Sequence, residues 1–341
     1  MTASEGIPLI TRLLPAYVKD KTGWATDLFT AFRTMQIPPK AENFCAAMAI
    51  LEQESTFQAD PVVPGLSKIV WKQIDERRQK YGIPMLVIEA ALLKKSSNGK
   101  SYKERIDSLK TEKQMSDLID DMIAEIPNGQ SWLSAKNPVR TGGPMQVSVE
   151  FAEQHIKERT YPYPIKGNLR NEVFSRRGGV YFGVANLLDY PASYSHMQYR
   201  FADFNAGRYS SRNAAFQYVV SILSRQPMEF DGDLLRYKDG KPSGEVGATQ
   251  KILFSMTQML GMSPSEMQRD LLQEKTLAFE STPLYQKVFA IAEQHAGRKL
   301  LREMLPGIDL KSPKIQRKLT TAWFAQRVTG RYQTCLQRAG Q

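Results

Sequence analysis

The sequence predicts a mainly α-helical protein, and three observations carry that prediction. Apolar residues recur at spacings of three and four along most of the chain. The segment Phe44-Cys-Ala-Ala-Met-Ala-Ile-Leu51 is apolar nearly all round, the pattern of a helix in the middle of a core. Only Asp231 to Pro242 reads as a strand hairpin. With 341 residues, the chain is long enough to bury a substantial core.

Taken in order, Trp24, Leu28, Phe32 and Met35 form one apolar stripe that Pro38-Pro39 ends. The Phe44–Leu51 helix follows, and Glu52, Gln53 and Glu54 stand at its C-terminal end, where a buried helix emerges into a cleft. Residues 61–140 carry helices of their own. Ile69, Val70 and Ile74 mark one, Met85 to Leu93 another and Met115 to Ile126 a third, with Asn98-Gly-Lys-Ser-Tyr102 as a turn. Val149 to Lys157 reads as helix, interrupted by Tyr161-Pro-Tyr-Pro164. Gly178 to Leu188 opens another, with small residues that permit close packing. In the hairpin, Leu234, Leu235 and Tyr237 precede Asp239-Gly240. Thr249 to Arg338 returns to helices, with Ser263-Pro-Ser-Glu266 as a start signal.

The 46 basic against 35 acidic residues give a net charge of +11, which favours polyanionic partners. No metal-finger spacing or compact basic stripe with interleaved aromatics points to nucleic acid. Cell-wall glycan bearing acidic peptides is an equal candidate, and charge alone does not choose. His155, His196 and His295 form no recognised ligand spacing, so neither a metal nor another cofactor is expected. No apolar run approaches the roughly 20 residues that span a bilayer. Met1-Thr-Ala-Ser-Glu-Gly lacks the features of a signal peptide.

Three short segments carry chemistry: Ala49-Ile-Leu-Glu-Gln-Glu-Ser-Thr-Phe57, Gly142-Gly-Pro-Met-Gln146 and Ala202-Asp-Phe-Asn-Ala-Gly207. In that order they resemble the lytic transglycosylases and goose-type lysozymes, which cut the glycan strands of bacterial cell walls. Gly178 to Leu188 is similar to a helix those enzymes carry between the second and third segments. The resemblance implies a lysozyme-like helical core with a large helical insertion, a small β-hairpin and added C-terminal helices. The chain then divides into N-terminal helices with the catalytic glutamate (1–60), the insertion (61–140), the remainder of the core (141–225), and the hairpin with C-terminal helices (226–341).

It also implies roles. Glu54 is the acid that protonates the leaving oxygen and later removes a proton, a task that needs a raised pKa. Glu52, two residues away on a helix, points about 200° from it. Ser55 supports the acid or merely ends the helix. Met145 lies against the sugar or in the core, and Gln146 hydrogen-bonds substrate. Pro144 replaces the usual Leu and removes an amide donor. Phe204 replaces a tyrosine, so the hydroxyl those enzymes place near the glutamate is lost. Asn205 remains available to substrate. Asp203 compensates with a carboxylate or caps a helix, and Tyr209 is a candidate substitute hydroxyl. The expected reaction is non-hydrolytic cleavage of the MurNAc–GlcNAc bond, ahead of lysozyme-type hydrolysis. The alternative is a catalytically degenerate glycan-binding or envelope-scaffold protein.

A second resemblance covers nearly the whole chain. Asn98–Tyr102, Asn137-Pro-Val-Arg-Thr-Gly-Gly-Pro-Met-Gln-Val-Ser148, Tyr199–Gly207, Arg302-Glu-Met-Leu-Pro-Gly-Ile-Asp-Leu310 and Leu319-Thr-Thr-Ala-Trp-Phe-Ala325 are similar to the YaiW-type outer-membrane lipoproteins of Gram-negative bacteria, a family of unknown function. This implies export and a lipid anchor on an N-terminal cysteine that the chain does not carry. Peptidoglycan is then the expected partner rather than nucleic acid, and the 61–140 insertion is a candidate surface for an envelope protein. An exported location permits Cys45 and Cys335 to pair, while two independent buried thiols remain the other reading.

Overall fold

Helices carry the chain in the computed structural model, which describes residues 1–126, 137–165, 167–238, 240–310 and 319–340. The protein is mainly α, with small two-stranded hairpins, and it divides into two compact units. Met1–Ala185 forms the bulk of the first, and Asn186–Lys311 with Arg317–Gln337 the second. The division therefore runs through residues 141–225 rather than at either end of that segment.

In the first unit, α1 (Ala3–Leu13) packs on α2 (Lys21–Thr34) and α3 (Ala41–Ser55). Asp20 caps α2 by accepting the Gly23 N–H at 3.1 Å. Along α3, Phe44 through Leu51 are each no more than 1% exposed, so the all-round apolar pattern does mark a central helix. Each large side chain buried there contributes about 1.5–3 kcal/mol.

Next come α4 (Leu66–Lys80), α5 (Met85–Leu92), α6 (Tyr102–Asp107) and α7 (Glu112–Ala124). Capping boxes start α6 at Ser101 and Glu104, and α7 at Thr111 and Gln114. Leu66, Val70, Tyr102, Ile106, Leu109 and Leu118 form a small core of their own. The interval thus has its own apolar centre. Helix α5 is the exception: none of its residues is buried, and Leu86 is 77% exposed.

Strands β1 (Thr141–Gly142) and β2 (Val147–Ser148) pair antiparallel and lead into α8 (Val149–Glu158), α9 (Leu169–Val173) and α10 (Arg176–Leu188). The sequence reading has no strands here. A ladder two residues long carries no alternation to detect.

The second unit begins with the last residues of α10 and continues with α11 (Met197–Ala206) and α12 (Ser210–Ser224). The expected hairpin forms as β3 (Tyr237–Lys238) with β4 (Lys241–Pro242), Asp239 of its turn lying outside the described residues. Then come α13 (Ala248–Ser255), α14 (Thr257–Leu260), α15 (Pro264–Leu271) and α16 (Pro283–Ala296). Ser263 caps α15 in a box with Glu266, as the start signal predicts. A further short pair, β5 (Asp309–Leu310) with β6 (Leu319–Thr320), corrects the all-helical expectation for this region before α17 (Thr321–Arg338). The unit's core gathers Phe216, Val220, Leu253, Leu271 and Val288, among others, from α12, α13, α15 and α16, with Phe279 from the 3-10 turn Leu277–Ser281.

Neither cysteine is free: Cys45 is disulfide-bonded to Cys335. That pairing points to an oxidising compartment outside the cytoplasm. Among the described residues, no helix is long and apolar enough to cross a membrane.

Candidate functional site

The first motif segment closes α3. Glu54 is half-buried, as are Glu52 and Gln53, so the acidic end of the helix does emerge from the core. Ser55 is 5% exposed, and its hydroxyl donates to the Leu51 carbonyl at 2.9 Å. This back-bond to the preceding turn belongs to the helix-ending role. Thr56 and Phe57 then both take the left-handed conformation, with φ of 51° and 57°. The Phe57 ring meets Trp24 edge-on at 5.6 Å, which holds the reversed chain against α2.

The second segment is the turn between β1 and β2. Gly143 has φ of 72°, and a Cβ there would stand 2.3 Å from the Val173 carbonyl oxygen, so only glycine fits. Met145 is fully buried, and a Cβ on Gly183 would reach within 2.2 Å of its sulfur. The thioether therefore packs on α10, and the expected contact with a sugar is corrected to a core contact. Gln146 is half-buried and left-handed at φ 52°, while its amide donates to the Gly143 carbonyl at 3.3 Å. Of this turn, Gln146 is the side chain that retains solvent access.

The third segment ends α11, in the second unit. Asp203 is 1% exposed. Its carboxylate accepts from the Tyr194 hydroxyl at 2.6 Å, the Tyr190 hydroxyl at 3.1 Å, the Ser211 N–H at 2.7 Å and the Tyr209 N–H at 2.8 Å. Burial raises its pKa, opposed by those donors. Two of the donors are amides at the start of α12, so Asp203 is an internal cap and does not present a carboxylate to substrate. Tyr209 is equally inward: its hydroxyl donates to the Pro191 carbonyl at 2.8 Å, and it supplies no substitute for the hydroxyl absent from Phe204. Phe204 is half-buried. Asn205 is exposed, and its side-chain oxygen accepts from Thr321 at 3.0 Å.

The expected constellation is thus divided, with Glu54, Ser55, Met145 and Gln146 on the first unit and Asp203, Phe204 and Asn205 on the second. The three segments share one backbone property. Among the described residues seven non-glycine residues have positive φ, and Thr56, Phe57, Gln146 and Tyr209 are four of them. All four lie on a motif segment or within two residues of one. Such conformations are uncommon for branched or bulky residues and concentrate at functional sites.

Sequence reasoning missed a second set of polar residues. Arg212, Asn213, Gln217 and Glu274 are each at most 1% exposed, inside the second unit. Arg212 donates to the carbonyl oxygens of Thr276, at 2.7 Å, and Glu274, and to the Asn213 side-chain oxygen at 2.9 Å. It also stacks over Tyr209 and Phe279. Arg212, Asn213 and Gln217, within six residues on α12 beside Ala214, Ala215 and Phe216, are the sequence signal that marks the set.

The profile of a family described as "Protein of unknown function (DUF1615)" matches residues 17–338. A protein of Escherichia coli (strain K12), "Uncharacterized protein YaiW", is 53% identical over 329 residues, which cover 96% of this chain and 89% of that protein. No solved structure matches.

Proposed function

The chain belongs to the DUF1615 family, and we propose that it acts on peptidoglycan, cleaving the MurNAc–GlcNAc bond with Glu54 as acid and base in a lysozyme-like core. The observation that carries this reading is the left-handed backbone on or beside all three motif segments, which in the first falls at Thr56 and Phe57, just past the half-buried Glu54. In the proposed reaction the Glu54 carboxyl gives its proton to the bridging oxygen as the C1–O bond breaks. The 6-hydroxyl of the same sugar then attacks C1, and its proton returns to Glu54. The product is a 1,6-anhydro ring, and no water is consumed. Gln146, on the same unit as Glu54, supplies hydrogen bonds to the glycan.

The disulfide supports an exported protein, and the reading extends to an outer-membrane lipoprotein of the Gram-negative envelope. Exposed Leu86, Val87 and Leu93 support the insertion as a surface for an envelope protein.

A specific observation favours a second reading, a degenerate glycan-binding scaffold. Phe204 lacks the hydroxyl, and Met145, Asp203 and Tyr209 all face inward. Incubation with purified peptidoglycan tests both. Anhydromuropeptides that disappear in Glu54→Gln support the transglycosylase, and reducing ends would show hydrolysis instead. Co-sedimentation without products would leave the scaffold.

A further inference from the structure

A cavity of about 850 Å³ opens in the second unit between α12, the loop 227–236, β3 and the start of α13, a volume typical of small-ligand sites. None of the three motif segments lines it. Its walls carry charges of both signs. Glu229, Asp231 and Asp233 stand on the loop, and Lys238 and Lys275 are the cations beside them; Arg236 is already paired with Glu245 at 3.3 Å. Among the described residues no group of three or more His, Cys, Asp or Glu is placed to hold a metal ion, so the carboxylates call for a different cation.

The loop that bears them is held from behind by the buried polar set. The Gln217 side chain accepts the Gly232 N–H at 2.8 Å and donates to Asp231 Oδ1 at 2.8 Å and to the Asp233 carbonyl at 3.1 Å. Asn213 donates to the Gly232 carbonyl at 3.1 Å, and Glu274 Oε2 accepts the Leu234 N–H at 2.7 Å. Gly232 has φ of 81°, and a Cβ there would meet the Ser210 carbonyl oxygen at 2.6 Å. Every peptide from 231 to 234 is therefore fixed. On the other wall, the Lys275 ammonium lies 3.5 Å from the Tyr237 ring centroid, which positions it too.

The hydrogen bonds that Asp231 receives from Gln217 and from the Asp233 N–H both end on Oδ1. Glu274 is buried just behind Leu234 and Tyr237. The held Asp231 carboxylate and the positioned Lys275 ammonium match a small ligand that carries both charges.

We propose that this cavity binds a small zwitterion, an amino acid or a dipeptide, with its ammonium group on Asp231 and Asp233 and its carboxylate on Lys275 and Lys238. The polar set behind the loop is the device that keeps the carboxylates in place before the ligand arrives. The proposal does not rest on glycan cleavage, and Glu54→Gln protein binds as the wild type does.

Calorimetric titration of the full chain with L-alanyl-L-alanine, its N-acetyl form, its C-terminal amide and free alanine tests it. The dipeptide or alanine binds, and acetylation or amidation each weakens binding about tenfold, the worth of one charge-assisted contact. Asp233→Asn and Lys275→Gln, both exposed positions that leave the fold intact, weaken it similarly. Tighter binding of the dipeptide than of alanine identifies a dipeptide ligand, and tighter binding of alanine a free amino acid. No heat of binding from either zwitterion overturns the proposal. Capped forms that bind as well as uncapped ones, or both variants binding like the wild type, do the same.

Discussion

Replacing Glu274 with Gln raises stability above neutral pH and leaves it nearly unchanged in acid. Burial pushes this carboxyl from an ordinary value of 4.5 up to about 7, against the pull of Tyr237 and of the Leu234 N–H. In the unfolded chain the group ionises near its ordinary value; in the folded protein it holds its proton to about pH 7. The folded state therefore binds more protons than the unfolded state between those limits, and stability falls as pH rises through that window. The difference amounts to roughly 3 kcal/mol once ionisation is complete. Gln keeps an oxygen for the Leu234 N–H and the Asn213 amide without carrying charge. Thermal unfolding at pH 5 and pH 8 reads the effect. The variant gains on the order of 6–12 °C over wild type at pH 8, at about 2–4 °C per kcal/mol, and little at pH 5. Equal stabilities at both pH values, or a variant less stable at pH 8, would refute the reasoning.

Three further perturbations separate structural roles from surface ones. Asp203→Ala strands two tyrosine hydroxyls and two backbone N–H groups inside the second unit, and costs at least about 3 kcal/mol in chemical unfolding; a loss below about 1 kcal/mol removes its capping role. Replacing Cys45 and Cys335 together with Ala lowers stability by roughly 5 kcal/mol on loop entropy alone, read as a fall in Tm that reduction of the wild type reproduces. Leu86→Lys with Val87→Lys changes stability by no more than about 0.5 kcal/mol and lowers binding of an apolar dye; a large drop in Tm would mean that α5 is packed after all.

Much of the fold is legible in the sequence, because α3, α4, α7 and α10 each carry apolar positions at helical spacing and each appears where that spacing puts it. The hairpin at Tyr237 to Pro242 is legible from its turn residues. What escapes notice is set by partners distant along the chain. Met145 reads equally well as a sugar contact or a core residue until Gly183 is brought against its sulfur. Asp203 sits in a segment that resembles a glycan-binding one, and its capping role depends on Tyr190, Tyr194 and two amides beyond Gly207. Nothing around Glu274 in Leu271-Leu-Gln-Glu-Lys275 announces a buried carboxyl, since Asn213, 61 residues earlier, is one of its partners.

The second unit also departs from the composition that stability alone would favour. Arg212, Asn213, Gln217 and Glu274 occupy core positions where apolar residues of similar volume serve stability as well or better. Their hydrogen bonds converge on two neighbouring stretches, the Asp231–Leu234 loop and the Glu274–Thr276 turn, which carry the acidic and basic sides of one cavity. A network of that kind contributes position rather than net stability. Removing its one ionisable carboxyl therefore uncouples the two quantities: Glu274→Gln gains stability at pH 8, while Asn213→Ala, which frees the Gly232 carbonyl, loosens the loop and with it the binding of any zwitterion held there.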